Sequence, residues 1–446
     1  MPDTEPVKAP KVLIAGGGVA GLTMAILLEK AGMDYQVFER QGTIARPQGS
    51  AAALSFNIMP LMDQLGMLEE LLSMSNTLDG TTIFKEDMEV IREIRLRNNK
   101  RSYGYDTLVT NRPDFHALLS SRVPKEKILL NKQIVALDQD SEGATITCAD
   151  ESTYTGDILI GADGVYSTVR ELLYKELEKE GIPPKIEQED PKILYMSVMG
   201  TTSPLNPSNF EGLDDHISHC DTIVGEERGL TWRYFTIPGN RICWRIDFQS
   251  SDMEAKHSEG WTNAEYNTFD VSTLPQEWRS HKLAIMGDLG DLFDNTPKEN
   301  VSKVVLEEKG YDAWKHGRTV LIGDASHKIL PNFVLNPVLD ALVLANALFD
   351  MPTANQKFIT KAFEEYYVER FPTGKKELTA PQQLNLVMAG KTWLDSAGRY
   401  CLLKLMPKYY REKSLEYYLS YRPQAVFLPR LENMGEIPMT PQRVSK

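Results

Sequence analysis

Apolar and polar residues show different periodic patterns in different parts of this chain. Residues 12–15 and 35–38 are short, continuous apolar runs, which predict buried parallel strands. The stretch between them has a helical period, so the first forty residues predict a βαβ unit. Residues 59–72 and 111–123 also show a helical period, while residues 82–97 alternate as a β-hairpin does. The N-terminal part therefore has the pattern of an α/β structure.

The middle of the chain has a different pattern. From about residue 186 to residue 280, β-forming residues alternate between Pro and Gly turns, which predicts an antiparallel sheet. Short apolar runs at residues 157–160 and 319–322 predict further buried strands of the α/β domain. After the second of these runs, helices are expected up to the C-terminus. We therefore expect a discontinuous α/β domain with a β-rich domain inserted into it.

The first strand is followed by the chain's most informative motif, Gly16-x-Gly18-x-x-Gly21, with Glu39 at the end of the second strand. Gly16 permits a tight turn, Gly18 lets a pyrophosphate approach the backbone, and Gly21 lets helix and strand pack closely. The helix N-terminus offers unpaired N–H groups to phosphates, and an acid at the Glu39 position can accept hydrogen bonds from a ribose. This unit predicts a dinucleotide site; the alternative is a glycine-rich turn that holds no ligand.

Composition narrows the class of protein. The 446 residues suffice for two or three domains, and the net charge of −13 argues against a nucleic-acid binder, because phosphate backbones demand a basic face. The four cysteines are scattered, without the spacing of a metal site, which is typical of a reducing compartment. Because no apolar run approaches the ~20 residues that span a bilayer and no secretory signal stands out, we expect a cytoplasmic protein. Peripheral membrane association stays open.

Two further segments also end strands with glycine and aspartate. The first has Asp163 and Gly164 after a predicted strand, although Asp-Gly is also an everyday turn. The second has Gly323, Asp324 and Ala325 after the strand at residues 319–322. Ligands bind at the carboxyl edge of open α/β sheets, so a carboxylate there can hold a ribityl hydroxyl. The alternative is that Asp324 caps a helix.

In this order and spacing, the three segments resemble the group A flavin monooxygenases, the para-hydroxybenzoate hydroxylase-like family. The LANAL sequence after the third motif and residues 422–438 are similar to the fungal FAD-dependent monooxygenases and epoxidases of secondary metabolism. The resemblance implies a Rossmann-like FAD-binding domain of α/β class, an inserted antiparallel β-sheet substrate domain and a C-terminal helical region. The expected boundaries are residues 1–185 and 286–385 for the FAD-binding domain, 186–285 for the substrate domain and 386–446 for the C-terminal helices and tail.

The resemblance also implies which residues bind FAD, with NAD(P)H as the co-substrate. Gly16, Gly18, Gly21 and Glu39 match the residues that hold the ADP half. The remaining matched positions are Arg112, which reaches the flavin; Asp163 and Gly164, which contact FAD and help to receive the nicotinamide; and Gly323, Asp324 and Ala325 at the ribityl chain. Arg40 lies near the ribose or pyrophosphate, or is an ordinary solvated charge. The resemblance assigns no catalytic side chain and no metal.

The chain departs from the family pattern after Pro331. The family continues into a Gly-x-Gly stretch that opens a helix, whereas this chain has Phe333, Val334 and Leu335 and is about three residues shorter up to Asp340. Bulky residues resist positive φ and hinder close approach of the backbone. Three explanations stay open: an artefact of the gene model or of splicing, a weakened but functional flavin site, or the loss of redox chemistry.

The resulting hypothesis is an FAD-dependent monooxygenase that hydroxylates or epoxidises a small apolar metabolite in secondary metabolism. The alternative is a flavin-depleted relative that acts as a non-redox cyclase or isomerase, or as a binding protein. We expect the substrate between the β-rich domain and the flavin. Four alternating aromatic residues face either that pocket or a core: Trp232, Tyr234, Trp244 and Phe248. For His327 a structural hydrogen bond is the simpler expectation.

Overall fold

The computed structural model describes residues 10–45, 49–95, 99–182, 193–225, 230–248, 267–307, 309–328, 334–389, 420–432 and 434–440. Its helices are α1 (Val19–Lys30), α2 (Met59–Gln64), α3 (Leu68–Ser73), α4 (Asn99–Tyr103), α5 (Arg112–Ser121), α6 (Thr168–Lys179), α7 (Leu289–Asp294), α8 (Leu335–Phe349) and α9 (Gln356–Ala389). Within these described residues, no helix is long and apolar enough to cross a membrane.

The strands form several sheets. In chain order they are β1 (Lys11–Ala15), β2 (Asp34–Phe38), β3 (Ala51–Leu54), β4 (Asn76–Leu78), β5 (Gly80–Lys85), β6 (Val90–Arg95), β7 (Leu108–Asn111), β8 (Ile128–Leu129), β9 (Ile134–Gln139), β10 (Ala144–Cys148), β11 (Thr153–Gly156), β12 (Ile158–Gly161), β13 (Ile193–Thr201), β14 (Ile217–Ser218), β15 (Cys220–Val224), β16 (Thr231–Ile237), β17 (Arg241–Phe248), β18 (Asn267–Thr268), β19 (Ser302–Glu307), β20 (Lys309–Gly310), β21 (Lys315–His316), β22 (Thr319–Leu321) and β23 (His327–Lys328). The mixed α/β class that the sequence predicts is confirmed.

A six-stranded sheet carries the predicted ligand motifs. Its order is β21-β22-β12-β1-β2-β8, and the pairs from β22 to β8 are all parallel. The carboxyl ends of β1, β2, β12 and β22 therefore meet at one edge of the sheet. Helices α1 and α8 pack together and contribute most of their side chains to the main hydrophobic core, which is why both read as nearly continuous apolar sequence.

An eight-stranded sheet has the order β18-β19-β13-β17-β16-β15-β5-β6, and all of its pairs are antiparallel except β15 with β5. Because side chains alternate between the two faces of a sheet, the register separates two environments. The outer face packs on the segments around residues 203–213 and 271–301. The inner face, which includes Phe235 and Cys243, packs on Ala51 and Val109 of the neighbouring four-stranded sheet.

The alternating aromatic residues lie on the outer face. Trp232, Tyr234 and Trp244 are buried in one hydrophobic cluster, and Phe248 packs at its margin in an edge-on contact with Trp278. The indole nitrogens donate to the Lys282 carbonyl and to Thr296 Oγ1, so these side chains are fully engaged in the core. Of the two environments expected for these aromatics, the structure selects the core.

Residues 59–72, expected as one helix, form two. Helix α2 ends at Gln64 and α3 begins at Leu68, because Gly66 between them has φ = +69°, which an α-helix does not accommodate. The C-terminal segment then ties α2 to α8. Gln64 bonds the Ala425 backbone, and Asn346 of α8 bonds Gln424 and Val426.

We expect Gly21→Ala to destabilise the fold and Gly18→Ala to leave it nearly unchanged. A methyl group on Gly21 would collide with the Gly16 carbonyl oxygen, whereas one on Gly18 meets nothing within 4 Å. The collision should cost about 1–3 kcal/mol of unfolding free energy, and the change at Gly18 less than about 1 kcal/mol. Urea unfolding of both variants measures this difference, and equal destabilisation would contradict it.

Candidate functional site

The turn after β1 presents the N-terminus of α1 to the sheet edge. Gly16 has φ = +101°, and a Cβ there would lie 2.5 Å from the Ala162 carbonyl oxygen, so only glycine fits. Gly18 is the N-cap of α1; no described side chain caps this helix, and its first turn has no acidic residue. The first-turn N–H groups of α1 are thus unshielded donors at the positive end of the helix dipole, beside open space at Gly18.

Glu39 stabilises this turn through hydrogen bonds to its buried carboxylate. Its side chain is 1% exposed; Oε2 accepts from the Gly17 backbone N at 2.8 Å and Oε1 from the Gln41 backbone N at 2.9 Å. The middle glycine allows this close approach, since a Cβ on Gly17 would lie only 3.0 Å from Glu39 Oε2. The carboxylate therefore fixes the glycine turn, and its contact with a ribose stays a prediction. Arg40, the next residue, is exposed.

Helix α5 reaches the same turn. His116 is buried, and its Nε2 lies 2.8 Å from the Gly17 carbonyl oxygen, which fixes Nε2 as the donor. Arg112, the first residue of α5, donates its backbone N–H to the Ser50 carbonyl, and its side chain lies beside Gly49. Sequence reasoning missed His116, although its position four residues after Arg112 puts both on one face of α5.

The second motif closes the other side of the glycine turn. Asp163 lies next to Gly16, accepts from Ser167 Oγ at 2.5 Å, and accepts from the backbone N of Val169 at 3.1 Å in the first turn of α6. Burial raises the pKa of Asp163, although these hydrogen bonds act in the opposite direction. Gly164 has φ = +84°, as a tight turn requires. The motif thus organises the start of α6 beside the predicted cofactor site.

The third motif lies over the first turn of α1. Gly323 follows β22 with φ = +60°, and a Cβ there would be 3.1 Å from the Ala20 methyl group. Asp324 is exposed at the sheet edge, while Ala325 is buried. The short turn Gly323–Ala325 has Ile322 as its N-cap, and α8 has Val334, so Asp324 caps neither helix.

A buried ionic cluster lies behind this turn. Asp340 Oδ2 accepts from the Gly323 backbone N at 2.9 Å and from His327 Nε2 at 2.8 Å, and Oδ1 accepts from Arg370 Nε at 2.7 Å. The expected structural hydrogen bond of His327 is confirmed. Burial raises the pKa of Asp340, but Arg370 and His327 outweigh it and hold the pKa at about 2.

The segment that departs from the family pattern is described in part. Pro331, Asn332 and Phe333 lie outside the described residues. Val334 and Leu335 are buried at the start of α8, and no described side chain caps that helix. Pro337 is the third helical residue, where its missing N–H costs no helical hydrogen bond.

Among the described residues, no group of three or more His, Cys, Asp and Glu side chains could hold a metal ion. The site instead combines the unshielded backbone N–H groups after β1 with carboxylates that follow three neighbouring strands, β2, β12 and β22. That arrangement suits a ligand with phosphates at one end and hydroxyl groups along its length. The fold and the site together define a dinucleotide-binding α/β protein.

Comparison with known proteins supports a more specific class. Residues 9–197 match a family model described as an FAD binding domain. The FAD-dependent monooxygenase ptmM of Penicillium ochrochloron is 27% identical over 81% of this chain and 85% of its own length. The FAD-dependent monooxygenase olcE of Penicillium canescens is 28% identical over 91% of this chain and 85% of its own length.

A solved structure shows the same fold. HpxO of Klebsiella pneumoniae, complexed with FAD and uric acid, superposes with a TM-score of 0.72 over 92% of this chain and 96% of its own, at 18% identity. The matched FAD-binding model and the fungal relatives support the group A FAD-dependent monooxygenase class that the three motifs indicate.

The buried ionic cluster around Asp340 predicts that the stability of the protein depends on pH. The folded pKa of Asp340 is about 2, below its ordinary value of 3.8, so its contribution is complete above about pH 4 and is lost as the pH falls toward 2. That contribution is about 2 kcal/mol. We expect the unfolding free energies of the wild type and Asp340→Asn, from urea titrations, to converge between about pH 4 and pH 2. A gap that stays constant across this range would contradict the assignment.

Proposed function

We propose that this protein is a flavoprotein monooxygenase that uses FAD, NAD(P)H and dioxygen to hydroxylate or epoxidise a small metabolite of apolar character. The observation that carries the proposal is the convergence of four strand ends on the unshielded N-terminus of α1. The fungal relatives named FAD-dependent monooxygenases support the reaction class. A cytoplasmic location is part of the same proposal.

The residues of the site fit the ends of FAD. The pyrophosphate would accept from the first-turn N–H groups of α1, where Gly18 leaves room, and Glu39 would accept from the adenosine ribose as well as from the glycine turn. Arg112 and Asp324 would contact the flavin half: Arg112 begins the helix whose His116 bonds Gly17, and Asp324 follows β22 at the carboxyl edge of the sheet. FAD supplies the redox chemistry, and the protein supplies binding, orientation and exclusion of water.

The substrate would lie against the inner face of the eight-stranded sheet. Thr201 on this face donates to the Gly49 carbonyl, and Gly49 lies beside Arg112, so the face adjoins the flavin end of the site. Cys243 lies opposite Thr201 on one neighbouring strand and opposite Phe235 on the other. Arg245 lies opposite Met199 in the next row of the same face. An apolar substrate with one polar group matches this mixture of side chains.

One observation favours the second candidate, a flavin-depleted relative with a non-redox or binding role. Val334 and Leu335 are buried where the family has bare glycine backbone at the start of the corresponding helix. If this substitution blocks the flavin, the purified protein should lack flavin colour and bind FAD weakly. The two candidates therefore differ in one measurable property, the stoichiometry of bound FAD.

The decisive experiment measures the visible absorbance of the purified protein, its Kd for FAD, and NAD(P)H oxidation coupled to oxygen transfer. We expect flavin absorbance and saturable FAD binding. Asp324→Ala should raise the Kd for FAD about tenfold or more, since it removes a charge-assisted hydrogen bond, while its exposed position leaves the fold intact. Asp87→Ala, an exposed carboxylate in the turn between β5 and β6, serves as the control. No FAD binding in well-folded wild type would refute the proposal.

The substrate position is tested with two half-buried phenylalanines on opposite faces of one sheet. Phe235 packs on the inner face and Phe248 on the outer core. We expect Phe235→Ala to raise KM for the substrate about tenfold, whereas Phe248→Ala lowers thermal stability and leaves KM unchanged. Steady-state kinetics and thermal unfolding of both variants decide this. A KM effect confined to Phe248→Ala would place the substrate on the other face.

A further inference from the structure

One buried carboxylate holds both ends of the turn that carries Asp324. Asp340 Oδ2 accepts from the Gly323 backbone N, just before Asp324, and from His327 Nε2, three residues after it. The turn therefore forms an arch fixed at both ends to a single oxygen atom of α8. The two hydrogen bonds flank Asp324 in the sequence, so Asp340 acts on the backbone that carries this exposed carboxylate.

The other oxygen of Asp340 connects the arch to two helices. Arg370 of α9 donates its Nε to Asp340 Oδ1 at 2.7 Å and its Nη2 to Asn336 Oδ1, in the first turn of α8, at 2.9 Å. A second contact from α9 reaches the strand below, because Tyr366 Oη donates to the carbonyl of Leu321 at 3.0 Å. The end of β22, the arch and the beginning of α8 are thus tied to one another.

This cluster is buried. Asp340, Arg370 and His327 are 0%, 1% and 2% exposed. In such a low-dielectric environment each hydrogen bond is strengthened, and removing one partner leaves an uncompensated buried charge. His327 Nδ1 has no hydrogen-bond partner among the described residues, so the bond from Nε2 to Asp340 is what orients the ring. The cluster therefore specifies one arrangement of the turn.

The position of the arch links it to the cofactor site. Gly323 packs on Ala20 in the first turn of α1, where the pyrophosphate is expected, and the exposed Asp324 is the next residue in the chain. Any shift of the arch would move Asp324 relative to the N-terminus of α1. Since FAD would contact both places at once, its affinity depends on their relative position.

Building on the proposed function, we propose that Asp340 is a positioning residue for FAD: it fixes the Gly323–His327 arch so that Asp324 meets the flavin half of the cofactor. Asp340 does not touch the cofactor in this proposal. Its effect passes through Asp324, which makes the proposal testable by a double-mutant cycle.

The experiment compares Asp340→Asn with Asn346→Ala on the same helix. Asn346 is also buried and also ties α8 to another segment, but that segment is the C-terminal one. For each variant, FAD affinity is measured by flavin fluorescence on folded apoprotein, and stability by thermal unfolding. The cycle is completed with Asp324→Ala alone and with Asp340→Asn/Asp324→Ala. Because Asp340→Asn can compromise folding by leaving Arg370 uncompensated, Asp340→Asn/Arg370→Gln is included as a neutral pair.

We expect Asp340→Asn, or the neutral pair, to raise the Kd for FAD about tenfold or more, and Asn346→Ala to lower stability without changing Kd. In the Asp324→Ala background, the effect of Asp340→Asn should shrink to less than about threefold. Hydrogen exchange in the Gly323–His327 arch of the apoprotein should accelerate in Asp340→Asn alone.

Two results overturn the proposal while the proposed function stands: wild type and Asp340→Asn bind FAD equally, or the effects of Asp340→Asn and Asp324→Ala multiply as independent contributions. A wild type that binds no FAD refutes the proposed function and this role together. The three results are distinguished by the affinity of the wild type and by the coupling measured in the cycle.

Discussion

The close packing of α1 against the turn that follows β1 is the constraint on which the rest of this structure depends. Gly21 approaches the Gly16 carbonyl so closely that a methyl group cannot be inserted. This contact fixes the direction of α1 and hence the position of its unshielded N–H groups. Glu39, His116 and Asp163 then surround the same turn from three other segments of the chain.

Polar groups around the site serve two purposes, and their burial distinguishes them. Glu39 and Asp340 are buried and accept backbone N–H groups from glycine turns, so they stabilise loop conformations that expose the donors of neighbouring residues. Asp324 and Arg40 are exposed at the surface of the same region. The cost of burying a carboxylate is offset by charge-assisted hydrogen bonds, and for Asp340 by an arginine.

After Pro331 the sequence departs from the glycine pattern that the family resemblance predicts. The family uses glycine backbone at this position, whereas here α8 begins with buried apolar residues and is held by the bonds of Asn336 and Asp340. Through Arg370, these two side chains connect α8 to α9. The start of α8 is thus fixed by the core, independently of any glycine loop.

Local patterns in the sequence determined most of the secondary structure in the described residues. The βαβ unit with its glycines, the strands that precede Asp163 and Gly323, and the antiparallel middle region are all visible from apolar runs and turn residues, because backbone preferences act over a few neighbouring positions. Family resemblance then identified the flavin class. The residues assigned to FAD contacts remain predictions.

Other features were decided only by the tertiary structure, because they depend on contacts between distant segments. Alternation along β16 and β17 could not tell whether Trp232 and Trp244 face a pocket or a core; the segments packed on the outer face settled it. The bond from His116 to Gly17 and the bridge from Arg370 to Asp340 join residues 99 and 30 positions apart. No local pattern encodes such pairs, since the energy of a buried polar group depends on which partner the fold brings within reach.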